Sequence, residues 1–145
     1  MNKEKKNFNQ ARSKEWVIPG TLGEAQKWEQ ELQNFLDSLD LTGEDSFKFI
    51  LSVHEALINV ITHKTKLDPD KKIEIGAIYD GKRVIVTIFD FLPIFDYSKI
   101  KSRDLKNIKP HGLGVYFYTT FSDDVEYYFH QQKGNAIRLI KNWNA

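Results

Sequence analysis

The sequence contains no cysteine, and its 145 residues include one Met and four Pro. Without cysteine, disulfides, thiol nucleophiles and Cys-ligated zinc sites are excluded. The apolar runs are a few residues long, far below the roughly 20 that a membrane-spanning helix needs. No apolar stretch follows the charged N-terminal residues, so no signal peptide is expected. These absences predict a soluble, cytoplasmic protein that does not cross a membrane.

The sequence also lacks an excess of charge of either sign, since 21 Lys+Arg stand against 20 Asp+Glu, a formal net charge of +1. Such a balance argues against a strongly basic nucleic-acid-binding protein. Basic residues do cluster between Lys99 and Lys109, but no aromatic residue beyond Tyr97 accompanies them. We therefore expect no direct binding of nucleic acid.

Two segments carry helical patterns, and each opens with a capping signal. The first runs from about Glu24 to Ser38, with apolar residues three and four positions apart. The second runs from about Glu44 to Thr65, and its wide apolar set implies burial on more than one side. That set consists of Phe47, Ile50, Leu51, Leu57, Ile58 and Ile61. A third, short helix is expected over about 113–121.

Alternating and β-rich patterns predict five strands. They are expected over 16–19, 73–78, 84–89, 124–130 and 136–142. Because two pairs of strands form hairpins, the sheet should be mixed but mostly antiparallel, with the helices on one face. The predicted fold class is therefore α/β (α+β), a two-layer sandwich. Residues 1–12 are polar and are expected to be a flexible tail before a single domain over 13–145.

A polar line follows the second helix, where Glu55, Asn59 and His63 stand four residues apart. A carboxamide oxygen suits a hard cation such as Mg²⁺, and a carboxylate one turn away suits proton abstraction from a hydroxyl. A solvated stripe has the same spacing, so both interpretations stay open.

Two further features are candidates for ligand contacts. Asp90 closes a hydrophobic strand, where its carboxylate could accept from a ligand amino group or simply belong to a turn. Gly112 and Gly114 precede the short helix, where backbone N–H groups could approach phosphate oxygens. No P-loop or dinucleotide-binding motif follows any strand.

Taken together, these motifs resemble those of the Bergerat-fold (GHKL) ATPases, which include histidine kinases, gyrase and mismatch-repair proteins. The stretch from Glu55 through Asn59 to His63 is similar to their N box, and Gly112-Leu113-Gly114 to their second glycine box. Residues 90–96 stand where the first glycine box lies. The C-terminal part is similar to that of the bacterial anti-sigma-factor serine kinases. This resemblance implies a histidine-kinase-like ATPase domain with the Bergerat ATP-binding fold.

The resemblance also implies roles for individual residues. Glu55 would be the general base that deprotonates a serine on an antagonist protein, and Asn59 would hold Mg²⁺. Asp90 would accept from the adenine amino group, and Lys106 and Lys109 would supply charge to the phosphates. The implied ATP-binding residues are Asn59, Asp90, Leu92, Asp96, Lys106, Lys109, Gly112, Leu113 and Gly114. His63 matches the N box but receives no chemical role.

Partners follow from the same resemblance: a sigma factor, an anti-sigma-factor antagonist and, by analogy with relatives, a second copy of the chain. One departure stands out, because the Gly of the first glycine box is Leu92 here, and a commonly small position is Ile94. A leucine side chain there could fill space that the adenine needs. The alternative function is therefore a degenerate, non-catalytic interaction module with weak or no ATP binding.

Overall fold

The computed structural model of the protein describes residues 12–67, 72–97 and 121–143. Nearly all of the expected tail and of the expected helix over 113–121 lie outside these described residues. So do five predicted site residues: Lys106, Lys109, Gly112, Leu113 and Gly114.

The described residues form two helices and a five-stranded sheet. The elements are β1 (Arg12–Pro19), α1 (Leu22–Ser38), α2 (Glu44–Leu67), β2 (Lys72–Tyr79), β3 (Arg83–Phe89), β4 (Asp124–His130) and β5 (Gly134–Asn142). The strand order is β1-β2-β3-β5-β4, and every described pairing is antiparallel. The predicted two-layer α+β fold is therefore confirmed.

β1 begins four residues before the strand predicted at Trp16. Its first half is polar and exposed, so the sequence shows no alternation there. Those residues are nevertheless in register with β2, with Arg12 opposite Tyr79. Pairing along the sheet, rather than burial of one face, extends this edge strand.

α1 begins at the predicted capping signal, where the Thr21 hydroxyl accepts from the backbone N–H of Glu24 at 3.3 Å. Beyond its C-terminus, Asp40 takes a positive φ of 59°. The Leu41 N–H then donates to the Leu36 carbonyl and closes the helix end. The buried face is the one predicted from the apolar spacing: Ala25, Trp28, Leu32, Phe35 and Leu36.

α2 packs against both α1 and the sheet, and its buried apolar residues are Phe49, Val53, Ala56, Leu57, Val60 and Ile61. The expectation that Phe47 belongs to this buried set was wrong, since Phe47 is 68% exposed. The helix buries Phe49 instead, because position 49 lies on the same face as Val53 and Ala56. Among the described residues, no helix is both long and apolar enough to span a membrane.

Alternation along β2 and β3 completes the core. Their inward residues are fully buried and join those of the helices in one cluster: Ile73, Ile75, Ala77, Val84, Val86 and Ile88. Since successive strand residues point to opposite faces, Glu74 and Thr87 lie on the other side of the sheet. The end of β3 thereby delivers Asp90 to the same edge of the sheet as the C-terminal half of α2.

Candidate functional site

Asn59 lies near the middle of α2 and is only 6% exposed. Its Nδ2 is buried and has no hydrogen-bond partner among the described residues. Leaving a buried polar group unpaired costs about 1–3 kcal/mol, so this amide is suited to a ligand. A half turn about χ2 exchanges Nδ2 for Oδ1, and the side chain therefore suits either a phosphate oxygen or a hard cation.

Glu55 lies one turn before Asn59 and is half-buried, so its carboxylate remains accessible to a substrate hydroxyl. Its neighbour His54 contacts Glu29 of α1 through Nδ1. That hydrogen bond raises the pKa of His54 against the opposing effect of burial, and the charges of Glu29 and Glu55 raise it further. Glu55 therefore lies beside a hydrogen bond between His54 and Glu29 that joins the two helices.

His63 ends the polar line and packs against aromatic rings. Its ring is stacked on Phe95 at a centroid distance of 3.9 Å and meets Tyr97 edge-on at 5.5 Å. Burial lowers the pKa of His63, the negative charge of Asp90 opposes this, and Lys66 lowers it further. The imidazole is therefore neutral at pH 7. Because Asn59 is buried and His63 is packed, the polar line is not a solvated stripe.

Asp90 is fully buried directly after β3. Its Oδ1 accepts from the backbone N–H groups of Leu92 and Asn135, both at 2.9 Å. Its Oδ2 accepts from the Tyr97 hydroxyl and from Asn135 Nδ2, again at 2.9 Å each. The carboxylate is thus surrounded by donors of the protein itself.

Asn135 is a residue that the sequence analysis missed. Besides its bonds to Asp90, its Nδ2 donates to the Pro93 carbonyl at 2.9 Å, and its Oδ1 accepts from the Phe95 N–H at 2.7 Å. One side chain therefore fixes most of residues 90–97, called the 90–97 segment below. No local sequence signal pointed to it, because only the pairing of β3 with β5 brings Asn135 opposite the end of β3.

Gly134 permits the close approach of this segment to the β4–β5 turn. It adopts a φ of +83°, and a Cβ there would lie 2.6 Å from Asp90 Oδ1 and from the backbone nitrogens of Phe91 and Leu92. The Phe91 N–H also donates to the Lys133 carbonyl at 2.8 Å. No residue with a side chain fits this position without displacing the segment.

Leu92 and Ile94, which stand at the usually small positions of the first glycine box, lie in different surroundings. Leu92 is 4% exposed and lines a pocket of about 480 Å³ together with Phe129 and Gln132. No described residue of α2 lines that pocket. Ile94 is 77% exposed, and with Asp96 it lines a second pocket of about 320 Å³ beside β4.

The predicted site residues are thus brought together only in part. His63 lies beside the 90–97 segment, and Lys64 Nζ donates to the Asp90 carbonyl at 2.5 Å. Leu92 and Asp96 line two pockets whose described lining residues include none of α2. Within the described ranges, no group of three or more His, Cys, Asp or Glu residues could hold a metal ion.

These residues fit the metal and phosphates of a magnesium–nucleotide complex, but not its adenine amino group. Asn59 fits the metal or the phosphates, because its buried amide lacks a partner in the described part of the chain. Asp90 does not fit an adenine amino group in this arrangement, because a carboxylate offers about four lone-pair sites and four donors already use them.

Comparison with known proteins assigns the chain to a family. A family model described as the histidine kinase-like ATPase domain matches residues 18–141. The anti-sigma F factor of Anoxybacillus flavithermus is 29% identical over 112 residues, which cover 74% of this chain and 77% of that protein. The anti-sigma F factor of Clostridium perfringens is 28% identical over 115 residues, covering 77% and 82%.

The fold also has a counterpart among solved structures. The SiaB–SiaC complex from Pseudomonas aeruginosa contains a chain that matches with a TM-score of 0.63 and 12% identity. The match covers 96% of this chain and 94% of that one, and shows a likeness of fold. The predicted resemblance to the GHKL anti-sigma-factor kinases is confirmed. The chain belongs to the family of histidine kinase-like ATPase domains.

Proposed function

We propose that the chain is a cytoplasmic, ATP-dependent serine kinase of the anti-sigma-factor type. In this proposal it sequesters a sigma factor, as the names of its relatives suggest. It also phosphorylates an antagonist protein, as the resemblance to the anti-sigma-factor serine kinases implies. The observation that carries the proposal is Asn59, a buried amide with an unpartnered Nδ2 in the described structure, one turn from an accessible carboxylate.

Each residue of the polar line has a separate task. Glu55 accepts the proton of the serine hydroxyl as that oxygen attacks. Asn59 holds the metal through Oδ1 or a phosphate oxygen through Nδ2. When bound, ATP would supply the γ-phosphoryl group to the serine oxygen and leave as ADP, and Mg²⁺ would offset the negative charge of the phosphates. Neutral His63 supports the 90–97 segment by packing rather than by proton transfer.

The remaining site residues belong to the proposal by resemblance. Lys106 and Lys109 would provide positive charge near the phosphates, and Gly112, Leu113 and Gly114 would let the backbone close over them. A homodimer is likewise part of the proposal, by analogy with the relatives.

A second function, the non-catalytic interaction module, is favoured by one observation. The carboxylate of Asp90, which the resemblance assigns to adenine, already accepts four hydrogen bonds from the protein. In that case the fold serves as a docking scaffold and the partner is bound without being phosphorylated.

Calorimetric titration with Mg·ATP, followed by transfer from [γ-³²P]ATP, distinguishes the two functions. The transfer substrate is the antagonist protein that copurifies with the chain from its own cells. The kinase proposal expects saturable binding and a labelled serine, which disappears in Glu55→Ala while partner binding remains. No heat of binding at millimolar nucleotide would reject the kinase and leave the interaction module.

A further inference from the structure

The Asp90 carboxylate is fully engaged by the fold. Its donors are the Leu92 and Asn135 backbone N–H groups, the Asn135 side-chain amide and the Tyr97 hydroxyl. We propose that Asp90 is the buried anchor of the 90–97 segment and does not read the nucleobase, so the site binds purine nucleoside triphosphates whether or not they carry the adenine amino group.

The fold holds each of these hydrogen-bond donors in place. Two are backbone groups, and one of these belongs to β5. The Asn135 amide is held by Pro93 and Phe95. The Tyr97 side chain is 2% exposed and packs edge-on against Phe95 at 4.9 Å. A ligand amino group would therefore have to displace a hydrogen bond that is already desolvated.

Energetics favour the internal partners. Hydrogen bonds to a charged group contribute more than neutral ones, and breaking one inside the protein leaves the donor unpaired. An adenine amino group gains nothing by replacing Tyr97, because it exchanges one donor for another and exposes the cavity left by the hydroxyl. This carboxylate therefore contributes no hydrogen bond to the base.

The inference about nucleotide selectivity rests on the proposed function, and calorimetry with the full chain tests it. The two probes are Mg·ATP and the Mg complex of purine riboside triphosphate, which is ATP without the exocyclic amino group. We expect dissociation constants within about threefold of each other. A preference of tenfold or more for ATP, the ratio of a lost charge-assisted hydrogen bond, would overturn the inference.

The inference that Asp90 anchors the 90–97 segment is tested by unfolding in urea, and this test does not need a nucleotide. Tyr97→Phe keeps the ring and removes one donor, so we expect the folding equilibrium constant to fall about tenfold or more. Tyr79→Phe is the matched control, because it removes an exposed hydroxyl bond to the Gly81 carbonyl, and its effect should stay within threefold.

Asp90→Asn places an amide N–H₂ among donors and should destabilise the fold more strongly than Tyr97→Phe; failure to fold agrees with the anchor. Equal effects of Tyr97→Phe and Tyr79→Phe, or wild-type stability of Asp90→Asn, would overturn it. If neither nucleotide binds while the anchor variants behave as expected, the proposed kinase function fails and the anchor stands.

Discussion

Lys64 donates from Nζ to the backbone carbonyl oxygen of Asp90 at 2.5 Å, and both residues are fully buried. The bond joins the C-terminal part of α2 to the residue that follows β3. A buried lysine is uncommon, because removing an ammonium group from water is costly unless acceptors replace the water. Here the Asp90 carbonyl provides such an acceptor, and its negative carboxylate belongs to the same residue.

The first prediction concerns this bond. Lys64→Met keeps most of the apolar stem of the side chain but leaves the Asp90 carbonyl without this donor, so the free energy of unfolding should fall by about 1–3 kcal/mol. Urea unfolding measures the change. Lys66→Met, at an exposed position of the same turn, is the control and should stay within about 0.5 kcal/mol. Equal stability of the two variants would show that the Lys64 bond contributes nothing.

The second prediction concerns Gly134. Gly134→Ala combines a left-handed backbone, which costs about 1–2 kcal/mol, with a Cβ only 2.6 Å from Asp90 Oδ1. We expect a total loss of more than about 3 kcal/mol by urea unfolding. Gly23→Ala serves as control, since its Cβ would meet nothing within 4 Å in α1. The free energy of unfolding of Gly23→Ala should rise by about 0.5–1 kcal/mol. A comparable fall of this free energy in both variants would contradict the close approach at Gly134.

The third prediction concerns the pH dependence of the contact between His54 and Glu29. Because the folded-state pKa of His54 is raised above 6.5, its stabilisation is fully present below that unfolded-state value. It is lost as the pH rises through the folded-state pKa. The stability difference between wild type and Glu29→Gln should therefore be larger at pH 5.5 than at pH 9. Chemical unfolding across this range measures it.

A double-mutant cycle provides the check on that assignment. In the His54→Gln background, Glu29→Gln should change the stability by the same amount at pH 5.5 and at pH 9. A pH dependence that persists without the imidazole would assign the effect to another group.

The fourth prediction concerns the division of tasks on α2. Glu55→Ala should keep the affinity for Mg·ATP within about threefold while phosphoryl transfer falls by about 10²–10⁴-fold, the usual loss of a general base. Asn59→Ala should lose both binding and transfer, because the metal or phosphate contact is removed. Calorimetry and single-turnover transfer measure the two quantities. Equal, mild effects of both substitutions would contradict the assigned roles.

The elements of the fold were largely predictable because their signals are local. The capping residue Thr21 and the apolar spacing of α1 determine a helix within one segment. The polar first half of β1 was not predictable, because only its pairing with β2 makes it a strand. Phe47 was misplaced because a wide apolar stripe does not reveal which edge of it faces solvent.

The candidate site was predictable only where it lies on one helix. The spacing of Glu55, Asn59 and His63 follows from helical geometry, whereas the stacking of His63 on Phe95 depends on how the 90–97 segment folds back. The role of Asn135 depends on contacts that span 45 positions of the chain. No local pattern encodes such contacts, so they appear only when the sheet is assembled.

The single side chain of Asn135 has a mechanical consequence. It belongs to β5, yet its amide bonds to Asp90, Pro93 and Phe95. The stretch after β3 is therefore tied directly to the sheet, although it is neither helix nor strand. Widening the space beside Asp90 therefore requires either breaking these hydrogen bonds or shifting the β4–β5 turn with them.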